Sequence, residues 1–259
     1  MTTSIPAPTA KPSRAVIGKL AALSDRLRSR GLSHATRHLH TVLLHRAHDI
    51  VERHTRDGQD GTTGKRELDT LQITSANRHA GVHYLPTPWR VLDWVHDALP
   101  ADKSNWTFID LGAGKGRAVL SAASRPYASV IGVEFAEELA TIAHDNLKAI
   151  APFEAGSAEI VHADATEFAL PHTPTIIFMF NPFGASVMTQ VAAAVARSYQ
   201  AAPRPIIIAY LNPEHAGIWQ AAPDFAPMPM SAASALRWRA FSPYTLMLYA
   251  SPEALPLWR

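Results

Sequence analysis

The sequence predicts an α/β fold: a doubly wound, seven-stranded, mostly parallel sheet that ends in an antiparallel hairpin and follows an N-terminal helical region. Three observations lead to this prediction. From residue 88 to residue 211, short apolar runs alternate with helical stretches, as in parallel βαβ units. The first of these units has a glycine-rich turn between its strand and its helix. The last two predicted strands are separated only by Ser242-Pro243, a connection that parallel strands cannot make.

The composition excludes several classes of site. The 259 residues include no cysteine, so disulfides, thiolate zinc sites and thiol nucleophiles are excluded, and 47% hydrophobic residues suffice for a full core. No apolar run approaches the roughly 20 residues that span a bilayer. The N-terminus has no signal-peptide core, and its basic, acid-poor character loosely resembles a mitochondrial transit peptide. Because the whole chain is rich in Ala, Arg and Pro, its general composition explains this character of the N-terminus equally well, and we therefore predict a cytoplasmic protein.

The N-terminal part of the chain is basic and the remainder is acidic. Residues 1–66 contain twelve Lys/Arg and five Asp/Glu, about +7, so residues 67–259 carry about −5 of the total of +2. We therefore predict a basic helical arm over 1–66, with about the first 12 residues disordered, and one catalytic domain over 67–259. The arm suggests an anionic partner. The alternative is that these basic residues only form the solvent-exposed surface of the helices and bind no partner.

Two helices are predicted in the arm. The first begins at the cap Ser13 and ends at Gly31. The second begins near Ser33, and its apolar residues, which include Leu39 and Leu43, form the stripe expected to be buried. This helix is rich in histidine, but local spacing fixes no third ligand beside any pair, so we predict no metal site. The histidines are His34, His38, His40, His45, His48 and His54.

A further helix precedes the first strand of the sheet. Thr87 is a suitable N-cap and Pro88 suits the first helical position. Tyr84 comes just before this helix, where it would either close over a bound ligand or pack as an ordinary buried aromatic residue.

The glycine turn follows the strand Thr107–Ile109 and precedes the helix Arg117–Ala123. Its glycines follow the pattern G-x-G-x-G, at residues 112, 114 and 116. A nicotinamide-binding turn needs a third small residue where this chain has Arg117. Asp110 would also repel a pyrophosphate, whereas it would attract a cationic amino-acid ligand. A dinucleotide remains the alternative at this point.

The next two predicted strands also end in carboxylates. Glu134 lies near the end of the strand 129–135, where it can accept hydrogen bonds from both ribose hydroxyls of an adenosine. Asp164 lies near the end of the strand 159–165, where it can accept a hydrogen bond from the adenine amino group. Because buried carboxylates are costly unless they are paired or hydrogen-bonded, three of them at one sheet edge indicate a ligand with several donors and a positive centre.

The remaining predicted strands complete the sheet. The strand 175–180 runs into Asn181-Pro182-Phe183, and the strand 205–211 ends at Asn212-Pro213. Helices are predicted at 137–147 and 187–199. Residues 235–241 and 244–249 are the two strands predicted to form the C-terminal hairpin.

These motifs resemble those of class I, Rossmann-like S-adenosylmethionine-dependent methyltransferases, over roughly residues 82–251. The trio FIDLGAGKGR, GVE and NPF is also similar to that of the non-SET lysine methyltransferases. The resemblance implies that S-adenosyl-L-methionine is the cofactor. It places Asp110 and the glycines around the methionine part, Glu134 at the ribose, and Asp164 with Ala165 at the adenine. The implied cofactor-binding residues are Asp110, Gly112, Ala113, Gly114, Gly116, Glu134, Phe135, Asp164, Ala165 and Asn181.

The same resemblance places Asn181-Pro182-Phe183 at motif IV, beside the reactive methyl group. Amino-group methyltransferases often have Asn-Pro-Pro-Tyr/Phe there. This chain lacks one of the two prolines, so the resemblance does not imply specificity for a nucleic-acid base or a glutamine. Asn181 is expected to hold an acceptor nitrogen, Phe183 to pack against it, and Tyr84 to close the site. The simpler interpretation of Asn181-Pro182 is a turn after the strand.

We therefore predict a methyltransferase that acts on a nitrogen of a protein, peptide or small-molecule acceptor. The first alternative is methylation of an oxygen in a small metabolite, for which His83, His162 and His215 are candidate bases. The second is a non-catalytic S-adenosylmethionine-binding module that acts through its basic arm.

Overall fold

A computed structural model describes residues 39–47, Thr62 and residues 86–258. By its internal contacts the chain divides into residues 1–47 and residues 48–259. Residues 39–47 are helical, but Leu39 and Leu43 are 57% and 55% exposed. Their predicted burial is therefore wrong, since a helical apolar stripe is buried only where another element packs over it. The predicted boundary at 66/67 and the first predicted helix lie outside the described residues.

The second unit is built on a seven-stranded sheet in the order β3-β2-β1-β4-β5-β7-β6. Strands β1 to β5 are parallel, while β7 runs antiparallel to both β5 and β6. The strand order reverses between β1 and β4, which is where open α/β sheets form their ligand crevice. The strands are β1 Thr107–Leu111, β2 Ser129–Glu134, β3 Ala158–His162, β4 Thr175–Phe180, β5 Ile206–Leu211, β6 Ala226–Pro227 and β7 Leu246–Ala250.

Helices cover both faces of this sheet. One face packs against α1, α2, α6 and Leu147 of α3, and the other against α4 and α5. The central strands are buried on both sides, so they are continuous apolar runs rather than alternating ones. The helices are α1 Trp89–Asp97, α2 Arg117–Ala123, α3 Glu137–Ala149, α4 Ala185–Ala201, α5 Ala216–Gln220 and α6 Ala232–Phe241, and a 3-10 turn spans Leu255–Trp258.

The start of α1 differs from its prediction by one residue. Pro88, not Thr87, is the N-cap, and no side chain caps this helix. Pro88 has an extended ψ of 137°, while its carbonyl accepts the first hydrogen bonds of the helix, from the amides of Val91 and Leu92. The Thr87 carbonyl instead accepts a hydrogen bond from Arg117.

The predicted C-terminal hairpin is wrong in its first strand. Residues 235–241 belong to helix α6, and β7 pairs instead with β5 on one side and on the other with β6, which lies nearer the N-terminus than α6. Large and charged residues alternate here as they do in a strand, but the Ser231 hydroxyl caps a helix by accepting a hydrogen bond from the amide of Ser234 at 3.2 Å. Several alanines favour the helix that follows. The antiparallel end of the sheet is confirmed.

None of the helices in the described part of the chain is both long and apolar enough to cross a membrane. Across the same residues, no three His, Asp or Glu side chains are grouped as a metal site would require.

Candidate active site

The turn between β1 and α2 depends on its three glycines. Gly112, Gly114 and Gly116 have φ angles of 84°, 55° and 86°, in the left-handed region that side chains with a Cβ rarely adopt. The amides of Gly112 and Ala113 donate to the Val133 carbonyl at 2.9 and 3.0 Å. The turn is therefore held to the end of β2, with its backbone facing the sheet edge.

Gly112 also contacts the turn that follows β4. A Cβ at residue 112 would lie 2.5 Å from Cβ of Pro182, closer than any two carbon atoms pack. Glycine is thus required here for space as well as for its φ angle. The contact places the Asn181-Pro182 turn directly against the glycine turn.

Arg117, which occupies the position where a dinucleotide-binding turn needs a small residue, is buried just after this turn. Its Nε donates to the Thr62 hydroxyl at 2.8 Å, and one terminal nitrogen lies 3.3 Å from the Thr87 carbonyl. Its guanidinium also lies 5.6 Å from the Trp89 ring centroid, within the range of a cation–π interaction. Arg117 therefore holds Thr62 and the start of α1 beside the glycine turn.

Glu134, at the end of β2, is buried and joins two backbone segments. One carboxylate oxygen accepts from the Gly114 amide at 2.7 Å and the other from the Ala136 amide at 2.9 Å. Burial raises the pKa of Glu134, and these backbone hydrogen bonds oppose that shift. Each oxygen keeps a second lone pair, so the carboxylate can also accept from a ligand hydroxyl.

Asp110, inside β1, is buried beside Glu134. Burial, together with the negative charge of Glu134, raises the pKa of Asp110 from 3.8 to about 8. The carboxyl is therefore mostly protonated at neutral pH in the absence of ligand, and a nearby cation favours its ionised form.

Asp110→Asn should flatten the dependence of thermal stability on pH in the cofactor-free protein. An unfolded aspartate loses its proton at about pH 4, whereas folded Asp110 keeps it until about pH 8. The folded state therefore binds the extra proton between these values, and the free energy of unfolding falls as pH rises through that window. From about pH 5 to about pH 9, calorimetry should show the wild type losing at least about 5 °C of Tm relative to the variant.

The exposed Asp145 supplies the matched control for this experiment. Asp145→Asn should follow the wild-type curve. Parallel curves for the wild type and Asp110→Asn would contradict a protonated, buried Asp110.

Asp164 lies in the loop after β3, two residues beyond the end of that strand. It is half-buried, and its Oδ1 accepts from the amide and hydroxyl of Thr166 at 2.9 and 2.7 Å. These local bonds fix the carboxylate in a turn, as Asx side chains often do. The neighbouring Ala165 is buried.

A cleft of about 320 Å³ lies between the ends of these strands. Four predicted cofactor residues line it together with Phe183, which the sequence had placed near the acceptor. Its largely apolar wall suits a flat aromatic base. Sequence reasoning missed three of the lining residues: Val133, which precedes Glu134 in β2, Ala163, which directly follows β3, and Val187, in the first turn of α4. The lining consists of Gly112, Val133, Phe135, Ala163, Asp164, Ala165, Phe183 and Val187.

Asn181 follows β4 in a left-handed conformation, with φ of 42°. It is buried, and its Oδ1 accepts a hydrogen bond from the Tyr210 hydroxyl at 2.9 Å. Asn212-Pro213 after β5 repeats this local geometry, with φ of 51° at Asn212. Nothing in the sequence pattern connects Asn181 with Tyr210, which lies 29 residues away on the adjacent strand. Tyr84 and His83, two other candidates, lie outside the described residues.

Residues 108–202, from β1 to the end of α4, match a family model described as a methyltransferase domain. This part of the chain is a class I methyltransferase domain. It is an enzyme domain that depends on S-adenosylmethionine, and the buried carboxylates, the glycine turn and the apolar cleft fit that cofactor. The predicted family and cofactor are thereby confirmed. No curated protein matches the sequence significantly.

Several solved structures resemble the methyltransferase domain. An RNA methyltransferase from Salinibacter ruber in complex with S-adenosyl-L-homocysteine is 18% identical, over 65% of this chain and 95% of that one, with a TM-score of 0.45. TrmN from Thermus thermophilus is 18% identical over 63% and 47%, with a TM-score of 0.43. Magnesium protoporphyrin IX methyltransferase from Synechocystis PCC 6803 is 13% identical over 79% and 96%, with a TM-score of 0.44. Such TM-scores carry no information on the acceptor of this chain.

Proposed function

We propose that this domain methylates a nitrogen atom of a protein, peptide or small-molecule acceptor. The observation that carries the proposal is the Asn181 amide, which follows β4 in the turn that packs on Gly112 through Pro182. The turn thus contacts the glycine turn through Pro182 and is hydrogen-bonded through Asn181 to Tyr210 on β5. An amide at this position can bind an amine without ionising, as a neutral nitrogen nucleophile requires.

The cofactor would be held by residues of three successive strand ends. The glycine turn and Asp110 would hold the methionine part, because a carboxylate favours the positive charge of its ammonium group. Glu134 would accept hydrogen bonds from the ribose hydroxyls. Phe135 and the loop containing Asp164 and Ala165 would enclose the adenine.

When bound, S-adenosylmethionine supplies an already activated methyl group, so the protein has to contribute mainly alignment and exclusion of water. The free lone pair of Asn181 Oδ1 would accept an N–H of the acceptor, leaving the nitrogen lone pair available for attack. Alignment of two groups in this way contributes up to roughly 7–11 kcal/mol in the best intramolecular models. Phe183, buried beside this turn, would exclude water from the acceptor.

Methylation of an oxygen is the second candidate, and one observation favours it. The His215 amide lies 3.4 Å from the Tyr210 hydroxyl, which in turn binds Asn181. The backbone of His215 is therefore part of the same hydrogen-bond network, and its imidazole, carried by the same residue, would be the base that an alcohol acceptor needs. His162 is a weaker candidate, because its Nε2 lies 3.1 Å from the Phe135 carbonyl on the opposite side of the cleft.

The experiment that tests the function is transfer of labelled methyl from S-adenosylmethionine into a cell lysate. The lysate is separated into protein, nucleic-acid and small-molecule fractions, and the labelled atom is identified by mass spectrometry. We expect label on nitrogen in one fraction, above the level given by Glu134→Ala protein. Label on oxygen would favour the His215 alternative. No label above the control would favour a cofactor-binding module that acts through its basic arm.

A further inference from the structure

The Tyr210 hydroxyl is the one buried group in the described residues that binds the Asn181 side chain. Tyr210 lies in β5 and is fully buried, on the face of the sheet that packs against α4 and α5. Its ring is surrounded by apolar side chains. Only its hydroxyl reaches the polar carboxyl edge of the sheet, where it meets the turn after β4.

The hydrogen bonds of this hydroxyl fix the position of its proton. The backbone N–H of His215 can only donate, so it takes one lone pair of the Tyr210 oxygen at 3.4 Å. The hydroxyl has a single hydrogen, and the acceptor facing it is Asn181 Oδ1 at 2.9 Å. Burial also raises the pKa of Tyr210, so the hydroxyl keeps this hydrogen throughout the physiological range.

This bond determines what the Asn181 amide presents to its other neighbours. A terminal amide rotates broadly about its last torsion unless a hydrogen bond holds it. With one Oδ1 lone pair engaged by Tyr210, the amide plane is fixed and the second lone pair has a defined direction. Asn212, in the same left-handed Asn-Pro turn, has no such hydrogen bond to its side chain within the described residues.

We infer that Tyr210 is a positioning residue for methyl transfer. Its hydroxyl accepts a hydrogen bond from the His215 backbone amide, donates its own hydrogen to Asn181, and thereby orients the Asn181 side-chain amide. The inference rests on the proposed role of Asn181. It assigns Tyr210 no contact with the acceptor or the cofactor, and the predicted defect is therefore confined to turnover.

Tyr210→Phe removes the hydroxyl and keeps the ring. With labelled S-adenosylmethionine and the lysate fraction that accepts methyl, we expect kcat to fall about tenfold, the size typical of one lost hydrogen bond to a polar group. The KM for the cofactor should stay within about twofold. The matched control is Tyr249→Phe on β7, since Tyr249 is also buried on this face and its hydroxyl contacts the Ala216 carbonyl. It should keep wild-type turnover.

A double-mutant cycle separates positioning from general support of the fold. In an Asn181→Ala background, Tyr210→Phe should change kcat by less than about twofold, because the group it orients is gone. An equal loss in both backgrounds would overturn the inference. So would wild-type turnover in Tyr210→Phe when Asn181→Ala is defective, and that result would leave the proposed function intact. Normal turnover in Asn181→Ala would instead remove the support for the proposed function.

A spectroscopic measurement tests the same hydrogen bond without any acceptor. The Asn181 side-chain amide protons are assigned in a nitrogen-15 correlation spectrum by their disappearance in Asn181→Ala. In Tyr210→Phe with bound S-adenosyl-L-homocysteine, we expect the Asn181 side-chain nitrogen-15 resonance to shift, because the hydrogen bond that Oδ1 accepts from Tyr210 polarises the amide and is lost in the variant. An unchanged resonance, with an unchanged Tm, would contradict the positioning role.

Discussion

Glu134→Ala should weaken the binding of S-adenosylmethionine by about 1.5–3 kcal/mol, roughly a ten- to 150-fold rise in Kd. The carboxylate is proposed to accept the ribose hydroxyls, and in the protein it already joins the Gly114 and Ala136 amides at 2.7 and 2.9 Å. The variant therefore loses hydrogen bonds to the ligand and also loosens the turn that holds it. Isothermal titration calorimetry measures the change directly.

Two further variants make this experiment specific. Glu137→Ala removes an exposed carboxylate at the start of α3, three residues away, and should bind as the wild type does. Glu134→Gln keeps the shape but places an amide nitrogen against one of the backbone N–H groups, so it should also bind poorly. An unchanged Kd for Glu134→Ala would overturn the ribose assignment.

Asn181→Ala should lower methyl transfer by about a hundredfold, as loss of one positioned polar group often does. Because the proposed contact is made to the acceptor, binding of S-adenosylmethionine should change by no more than a few-fold. The measurement uses the lysate fraction that accepts methyl, and the cofactor affinity is obtained by calorimetry on the same protein.

The structure offers a matched control for the backbone strain of Asn181. Asn212 has the same left-handed conformation before a proline, with φ of 51° against 42°. Asn212→Ala should therefore cost similar stability but retain turnover, and Asn181→Gly should relieve the strain but stay inactive. If Asn181→Ala and Asn212→Ala are equally active, Asn181-Pro182 is only a turn. Lost cofactor binding in Asn181→Ala would place Asn181 in the cofactor pocket.

The sheet could be predicted because its central strands are buried on both faces. Burial of that kind leaves continuous runs such as TIIFMF and IIIAYL, and β4 occurs at the predicted residues. The glycine turn could also be predicted from the sequence, because each of its glycines has a positive φ, which favours glycine over other residues. Asp110, Glu134 and Asp164 could be predicted as a group because parallel strands have their carboxyl ends at the same edge of the sheet.

The parts that escaped prediction depend on contacts between distant residues or on very short elements. Helix α6 buries only Trp238, so it has no apolar stripe, and its charged and apolar residues alternate as they do in a strand. Strand β6 has two residues, too few for any pattern. The bonds from Tyr210 to Asn181 and from Arg117 to Thr62 join residues 29 and 55 positions apart, and no local spacing indicates them.

The absence of a side chain at Gly112 has a consequence for changing what this enzyme methylates. Pro182 occupies the space that a Cβ of residue 112 would need, and the φ of 84° at that residue disfavours any side chain with a Cβ. Libraries at residue 112 will therefore consist mostly of clones with a damaged cofactor turn, whatever they do for acceptor choice. Redesign should begin instead at positions such as His215, on the β5 side, where a new side chain leaves the glycine turn intact.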